Sequence, residues 1–296
     1  MKKIMVIGGS GFLGKAISDV LAEKNNKVII YDLTEPEKLY KNQCYIYGDI
    51  MDYKNLMKNM KGVDYVYNFA AVSNIEYAHF HPVETIKINV IGNTYVLDLC
   101  VKNKVKRYVF ASSIYVYADK GSFYRVSKQS CELLIEAYSE VYNLPYTILR
   151  FGSIYGPVDG RNNWLYKIIK EALKKGVITR LGDGEELREY IHLYDAALAS
   201  VEILSKKYEN KNVLITGNQK MKIKDILNMI NEMMGNKIKI IYKPIKDKLH
   251  YEITPFVFKP KLAERLLVSS HIDLGEGILD CAYKIYSQLR TASEKK

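Results

Sequence analysis

Tyr124-Arg125-Val126-Ser127-Lys128 sets a tyrosine and a lysine four residues apart. On a helix that spacing places both on one face, about a turn from each other. A free phenol ionises near about pH 10 and is a poor base at neutral pH. A neighbouring ammonium favours the phenolate. Tyr124 is then a usable acid/base, and Lys128 can also hold a ribose. The Y-x-x-x-K pattern alone says little in a chain with 25 tyrosines, so its position carries the weight. It follows the apolar run YVFASS, which ends in Ser112 and Ser113. A hydroxyl at the carboxyl end of a strand faces the ligand crevice of an open α/β sheet. Ser113 can there bond a reacting hydroxyl beside Tyr124, with Ser112 facing the cofactor. The plainer alternative is a pair of serines capping a turn.

Gly8-Gly9-Ser10-Gly11-Phe12-Leu13-Gly14 fits G-x-x-G-x-x-G between a strand and a helix. Glycines at 8, 11 and 14 permit a sharp turn and bring backbone N–H groups against a pyrophosphate. Phe12 and Leu13 open a helix whose N-terminus adds unpaired donors and a favourable dipole. The motif is weak by itself, since a tight turn explains it as well. Asp32 supplies context: it ends KVIIYD, 18 residues after Gly14. A carboxylate there accepts both adenosine ribose hydroxyls and repels a 2′-phosphate, which favours NAD over NADP. Asp49 and Ile50 follow the third strand and can flank the adenine, although Asp49 could equally cap the next helix. Asn68-Phe69-Ala70-Ala71 closes the fourth strand, where small side chains let phosphate and ribose approach the backbone.

These groups need a scaffold, and the first 150 residues alternate short apolar runs with helical-period stretches. That is the pattern of a parallel sheet wrapped by helices, a Rossmann-type doubly wound α/β fold. Strands are expected at Lys3–Ile7, Lys27–Tyr31, Gln43–Tyr47, Tyr65–Asn68, Arg107–Ala111 and Tyr146–Arg150. Helices are expected near Phe12–Glu23, Asp52–Met60, Val83–Lys102 and Phe123–Tyr142. After Arg150 the segment FGSIYGPVDGRNN reads as a loop. Helices near Trp164–Lys175, Ile223–Met234 and Ile278–Leu289 follow, with strands at Glu189–His192 and Val213–Thr216. Residues 1–152, joined by segments near 189–217, form the expected cofactor domain. Residues 153–188 and 218–296 form a smaller, mixed substrate domain.

Composition narrows the class. Hydrophobic content of 48% and charged content of 26% are ordinary for a globular protein, and no apolar run is long enough to span a bilayer. A cytoplasmic protein without a membrane partner is expected. The net charge of +11 could attract a polyanion, but lysines such as Lys58, Lys61, Lys102, Lys104, Lys174 and Lys175 are scattered. Scattered charge argues against nucleic acid as a partner. Cys44, Cys100, Cys131 and Cys281 show neither metal spacing nor a paired-disulfide pattern, so no metal is expected.

The glycine motif, Asp32, SSIYVY (112–117), YRVSK (124–128), LRFGSIYGP (149–157) and LGDGEELREYIHLYDAA (181–197) occur in the order of the extended short-chain dehydrogenase/reductase family. The chain resembles its NAD-dependent nucleotide-sugar epimerase/dehydratase branch. The resemblance implies Ser113, Tyr124 and Lys128 as the catalytic set. It implies that Phe151–Ile154 contacts the nicotinamide end, with Ser153 towards the substrate. It also implies that Arg188 binds the diphosphate of a UDP- or GDP-linked sugar; a surface ion pair with Glu185 or Glu186 is the alternative. A homodimer through a four-helix bundle, built from helices matching Val83–Lys102 and Phe123–Tyr142, is a further implication.

Three departures refine the expectation. Dehydratases of this branch carry Thr-Asp-Glu where this chain has Ser113-Ile114-Tyr115, so a 4,6-dehydratase is not expected. Tyr124 follows Tyr117 by only seven positions, a shorter loop than in relatives, which suggests a more open site. HYEITPFVFKPKLAERLL lacks the arginine-rich pattern that completes the nucleotide pocket, leaving Lys259, Lys261 and Arg265 without an assignment. The leading expectation is a 4-epimerase working through a 4-keto sugar. The alternatives are a dehydrogenase or ketoreductase that releases the keto sugar and, behind it, a non-catalytic dinucleotide sensor.

Overall fold

Strand β1 (Lys3–Ile7) carries Ile4 and Val6 into one apolar core and Met5 and Ile7 into another. A strand buried on both faces needs helices on both, which is the condition of a parallel sheet. The computed structural model describes residues 1–158, 163–244, 249–250, 263–266 and 271–293. In it β1 lies between β2 (Lys27–Asp32) and β4 (Tyr65–Asn68). Strand β3 (Gln43–Tyr47) flanks β2. Strands β5 (Arg107–Ser113), β6 (Tyr146–Phe151), β10 (Lys211–Ile215) and β13 (Ala263–Arg265) extend the other side. The order is β13-β10-β6-β5-β4-β1-β2-β3, and all pairings are parallel. The chain reverses direction across the sheet between β1 and β4. Ligands of open α/β sheets bind at such a switch point, outside the carboxyl ends of the strands.

Helices α1 (Phe12–Glu23) and α8 (Leu193–Glu202) cover one face through Ile17, Val20, Leu21, Ala196 and Val201. The other face packs α2 (Tyr53–Asn59), α5 (Asn93–Lys102) and α6 (Ser122–Tyr142) through Leu56, Val96, Leu97, Cys131 and Ile135. Short helices α3 (Ile75–Phe80) and α4 (Pro82–Ile86) lead through a π-helical turn, Lys87–Gly92, into α5.

Beyond the large sheet, β7 (Ser153–Tyr155), β9 (Leu187–His192) and β11 (Lys220–Lys222) form a mixed three-stranded sheet. Strands β8 (Val177–Leu181) and β12 (Lys239–Lys243) pair in parallel beside it. Helices α7 (Trp164–Lys175), α9 (Ile223–Met233) and α10 (Leu274–Ser293) surround a third core containing Leu165, Ile169, Ile178, Ile226, Ile230 and Ile278.

Three expectations change. The segment FGSIYGPVDGRNN contains β7, because pairing with distant β9 overrides local turn chemistry. The helix expected over Val83–Lys102 is divided by the π turn. Helix α8 was not foreseen, since Ala196, Ala197, Ala199 and even Asp195 and Ser200 are buried and leave no amphipathic stripe to detect. Lys259 and Lys261 lie outside the described residues, and of Arg265 the backbone alone is described, in β13.

Beneath the carboxyl edge, Arg150 of β6 and Glu132 of α6 form a fully buried ion pair at 2.6 Å, with Arg150 Nε also donating to Glu132 at 3.0 Å. Removing one partner of such a pair strands a buried charge, at a cost of about 3–5 kcal/mol. Arg150→Met should therefore lower unfolding stability by about that amount in urea. Replacing both residues, Arg150→Met with Glu132→Leu, should restore a large part of the loss. A single variant within about 1 kcal/mol of the parent would contradict this role.

Candidate active site

The glycine loop owes its course to contacts that tolerate no side chain. Gly8 has φ +77°, and a Cβ there would lie 2.5 Å from the Ala70 amide nitrogen. A Cβ on Gly14 would lie 2.1 Å from the Gly8 carbonyl oxygen. The first glycine thus abuts the end of β4, and the last lets α1 meet the loop. Gly11 is the N-cap of α1 and offers no side chain to its first N–H groups. Asp32 accepts from Ser10 N at 2.9 Å and from Thr34 N at 3.0 Å, tying the end of β2 to the loop. The Ser10 hydroxyl is shielded from solvent and has no hydrogen-bond partner among the described residues. A glycine cradle, unpaired helix N–H groups and an orphaned hydroxyl fit a pyrophosphate.

Asp49 accepts from Met51 N at 2.9 Å, while the cap of α2 is Asp52, which accepts from Asn55 N at 3.0 Å. Asp49 is exposed, and its backbone carbonyl receives the Tyr31 hydroxyl. Ile50 is buried against Gly92, where a Cβ would approach its side chain to 3.0 Å. Phe69, Ala70 and Ala71 are half-buried, and the Phe69 ring lies 6.2 Å from that of Phe151. The candidates for the nicotinamide end, from β4 and β6, are thereby brought together. Ile154 packs on the core under α1.

Lys128 is buried on α6, and its ammonium donates to the Ala111 carbonyl in β5 at 2.6 Å. It stands 5.8 Å from the centroid of the Tyr124 ring and 4.7 Å from that of Phe110. Burial pulls the Lys128 ammonium down to about 8, while Cys131 and Glu132 work against that shift. Tyr124 is half-buried, and its backbone carbonyl takes the Ser127 hydroxyl at 2.8 Å. Ser113 is buried in extended backbone and accepts from Tyr115 N at 3.3 Å. Ser112 turns its hydroxyl to Glu132, which assigns it a partner within the protein.

Several supporting residues escaped the sequence. Asn89 bonds both backbone groups of Val72, at 2.7 and 3.0 Å, and reaches the Ser127 hydroxyl at 2.9 Å. Asn68 contacts Asn93 at 3.1 Å and Tyr108 at 3.0 Å, and its oxygen accepts from Ala70 N at 3.2 Å. This polar belt clamps the segment after β4 to the π turn and to α6. Asparagines four apart inside a helix, where they are disfavoured, were the available signal. A π turn is often a functional feature.

Arg188 is buried in β9, with Nη1 donating to the Leu187 carbonyl at 3.0 Å. Glu185 pairs with Lys222 and Lys224, and Glu186 pairs with Arg180 at 2.7 Å. Those bonds occupy the two acids proposed as alternative partners for Arg188. Ser153 lies on the adjacent strand, in register with Tyr190.

The short loop after Tyr117 is met by another segment: Gly121 N donates to the Leu249 carbonyl at 3.0 Å, and Tyr115 Oη lies 2.6 Å from His250 Nδ1. The expected openness is therefore reduced at this point.

Because Lys128 titrates lower in the fold than in the unfolded chain, the unfolded state binds more protons between about pH 8 and the ordinary lysine range. Stability of the cofactor-free protein should rise with pH across that window. Lys128→Met should remove this rise in chemical denaturation series. An identical pH slope in both proteins would contradict the burial of a charged Lys128.

The chain matches the NAD-dependent epimerase/dehydratase family over residues 4–216. It is 31% identical over 297 residues to a Methanocaldococcus jannaschii protein provisionally named UDP-glucose 4-epimerase, covering 93% of this chain and 95% of that one. It is 29% identical over 256 residues to an inverting UDP-N-acetylglucosamine 4,6-dehydratase of Campylobacter jejuni, covering 80% and 73%. A crystal structure of Thermotoga maritima UDP-glucose 4-epimerase with UDP-glucose superposes with a TM-score of 0.84 at 23% identity, covering 97% and 99%. That likeness confirms the Rossmann-type fold. Among the described residues, no helix is long and apolar enough to cross a membrane. The chain belongs to the NAD-dependent epimerase/dehydratase family, the nucleotide-sugar branch of the extended short-chain dehydrogenases, and NAD is the cofactor of that family.

Proposed function

We propose that this protein is a nucleotide-sugar 4-epimerase that uses NAD to oxidise and re-reduce C4 of a UDP- or GDP-linked sugar. The observation that carries this is the buried Lys128 ammonium, held by the Ala111 carbonyl beside the Tyr124 ring at the carboxyl edge of the sheet. In this account residues 1–152, with segments near 189–217, hold the cofactor, through Gly8, Gly11, Phe12, Leu13, Gly14, Asp32, Asp49, Ile50 and Phe69–Ala71. Ser113 orients the C4 hydroxyl, and Tyr124 takes its proton while Lys128 stabilises the phenolate. Bound NAD supplies the hydride acceptor and donor. Tyr124 returns the proton once the keto sugar has presented its other face. Residues 153–188 and 218–296 hold the sugar nucleotide, with Ser153 near the sugar and Arg188 on the diphosphate, which suits a guanidinium.

Contact of Leu249 and His250 with the loop beside Tyr124 supports retention of the keto sugar over its release. The homodimer is part of the same proposal. Val126, Leu133 and Val141 are exposed along α6, and Val83 and Ile91 on the neighbouring helical stretch, as a bundle interface requires.

Tyr124→Phe should reduce turnover of UDP-sugars by at least about a hundredfold while leaving NAD binding intact, as followed by product mass and calorimetry. Unchanged turnover would refute the acid/base role. Leu133→Glu should halve the mass seen by light scattering, and an unchanged mass would refute the proposed interface.

A further inference from the structure

In a parallel sheet every strand starts at the same edge, so residues that lead the strands gather there however far apart they stand in the chain. Lys3 opens β1, and Lys27 opens β2 as its direct register partner. Lys41 stands just before β3, Lys58 lies in the last turn of α2, and Lys61 follows it towards β4. These lysines line one groove at the amino edge of the sheet. Glu23 is the acid among the described lining residues, and its carboxylate already accepts the Tyr40 hydroxyl at 3.0 Å. The Lys3 ammonium donates to the Lys61 carbonyl at 2.8 Å, which keeps it beside Lys61. Lys27, Lys41, Lys58 and Lys61 are exposed, and none has an ion pair among the described residues. Lysines that look scattered in the sequence thus form one positive face, opposite the carboxyl edge that bears Tyr124 and Lys128. Unpaired like charges repel one another, and an anionic partner relieves that repulsion.

The chemistry of the face selects the partner. Lysine ends in a compact charge with rotatable donors and imposes no fixed geometry on a phosphate, whereas the planar fork of arginine does. Arg107, at the start of β5, is buried and turned to the Ile203 and Ser205 carbonyls and to Glu209. Single-stranded nucleic acid needs an open aromatic platform for its bases. The Tyr40 ring at the groove is instead tied to Glu23, with the Lys38 ammonium 6.0 Å from its centroid. We propose that the amino edge is a docking face for an anionic lipid bilayer, whose headgroup phosphates meet Lys3, Lys27, Lys41, Lys58 and Lys61. Such a cluster binds through its summed charge, each lysine near the surface contributing about fivefold. The expectation of no membrane partner rested on the lack of a spanning apolar run. Among the described residues no helix crosses a bilayer, but a charged face lies on the surface without crossing it. Docked in this way, the protein turns its carboxyl edge away from the lipid and leaves the candidate site open to soluble ligands. The inference is independent of the epimerase reading.

The test uses the full chain with vesicles of phosphatidylcholine alone, and of phosphatidylcholine with about 30% phosphatidylglycerol, in about 0.1 M salt. Sedimentation should show binding to the mixed vesicles and none to the neutral ones, lost when salt is raised about tenfold. Lys27→Gln, Lys41→Gln, Lys58→Gln and Lys61→Gln combined should weaken that binding at least about a hundredfold. The same charge removed elsewhere, with Lys174→Gln, Lys175→Gln, Lys239→Gln and Lys243→Gln, should weaken it by less than about fivefold. Both variants should keep the parent's urea midpoint and NAD affinity, since neither set touches the core or the glycine loop. Absence of binding to the mixed vesicles, or an equal loss in the two variants, would overturn the proposal. Tighter binding to an oligonucleotide than to the mixed vesicles would also overturn it, and would assign the face to nucleic acid.

Discussion

The buried pair of Arg150 and Glu132 fixes α6, which carries Tyr124 and Lys128, to the sheet, and the geometry of the candidate site depends on that attachment. Arg150 stands near the end of β6, and Glu132 stands one turn beyond Lys128 on α6. Through Glu132 the pair reaches the Ser112 hydroxyl at the end of β5, and through Arg150 it reaches the Tyr117 hydroxyl. β5, the 3-10 turn Ile114–Tyr117, α6 and β6 are thus locked at the level where Ser113, Tyr124 and Lys128 emerge. A buried ion pair is a poor source of net stability but a stringent source of geometry, since any shift strands a charge. Lys128 imposes a second demand of the same kind, satisfied by the Ala111 carbonyl.

The glycine-loop side is organised by close backbone approach instead of charge. Gly8 against Ala70 and Gly14 against Gly8 bring β1, β4 and α1 together without intervening side chains. Asn68, Asn89 and Asn93 then tie the segment after β4 to the helices on the opposite face of the sheet. The segment after β4 and α6 therefore share one polar belt, and a displacement of either is felt by the other.

Much of this was legible in the sequence where a local pattern maps onto one structural demand. Two-sided burial made β1, β2, β4, β5 and β6 visible as short apolar runs, and the glycine motif, Asp32 and Tyr124–Lys128 stood out by spacing. What escaped was decided by distant partners. Ser153–Tyr155 became a strand because β9 lies beside it, and α8 carried no amphipathic stripe because nearly all of it is buried. Ser112, Glu132 and Arg150 could not be paired from sequence, since their contacts span 18 to 20 positions and three elements. The seven-position spacing after Tyr117 suggested an open site, whereas Leu249 and His250 approach from far along the chain.

The central claim is that hydride leaves and returns to the same carbon of one bound sugar. UDP-glucose deuterated at C4, incubated with the protein and unlabelled NAD, tests it most directly. The account predicts an epimerised product of unchanged mass that keeps its deuterium at C4, with no reduced cofactor accumulating. Deuterium appearing in free reduced cofactor, with a keto sugar in solution, would contradict it.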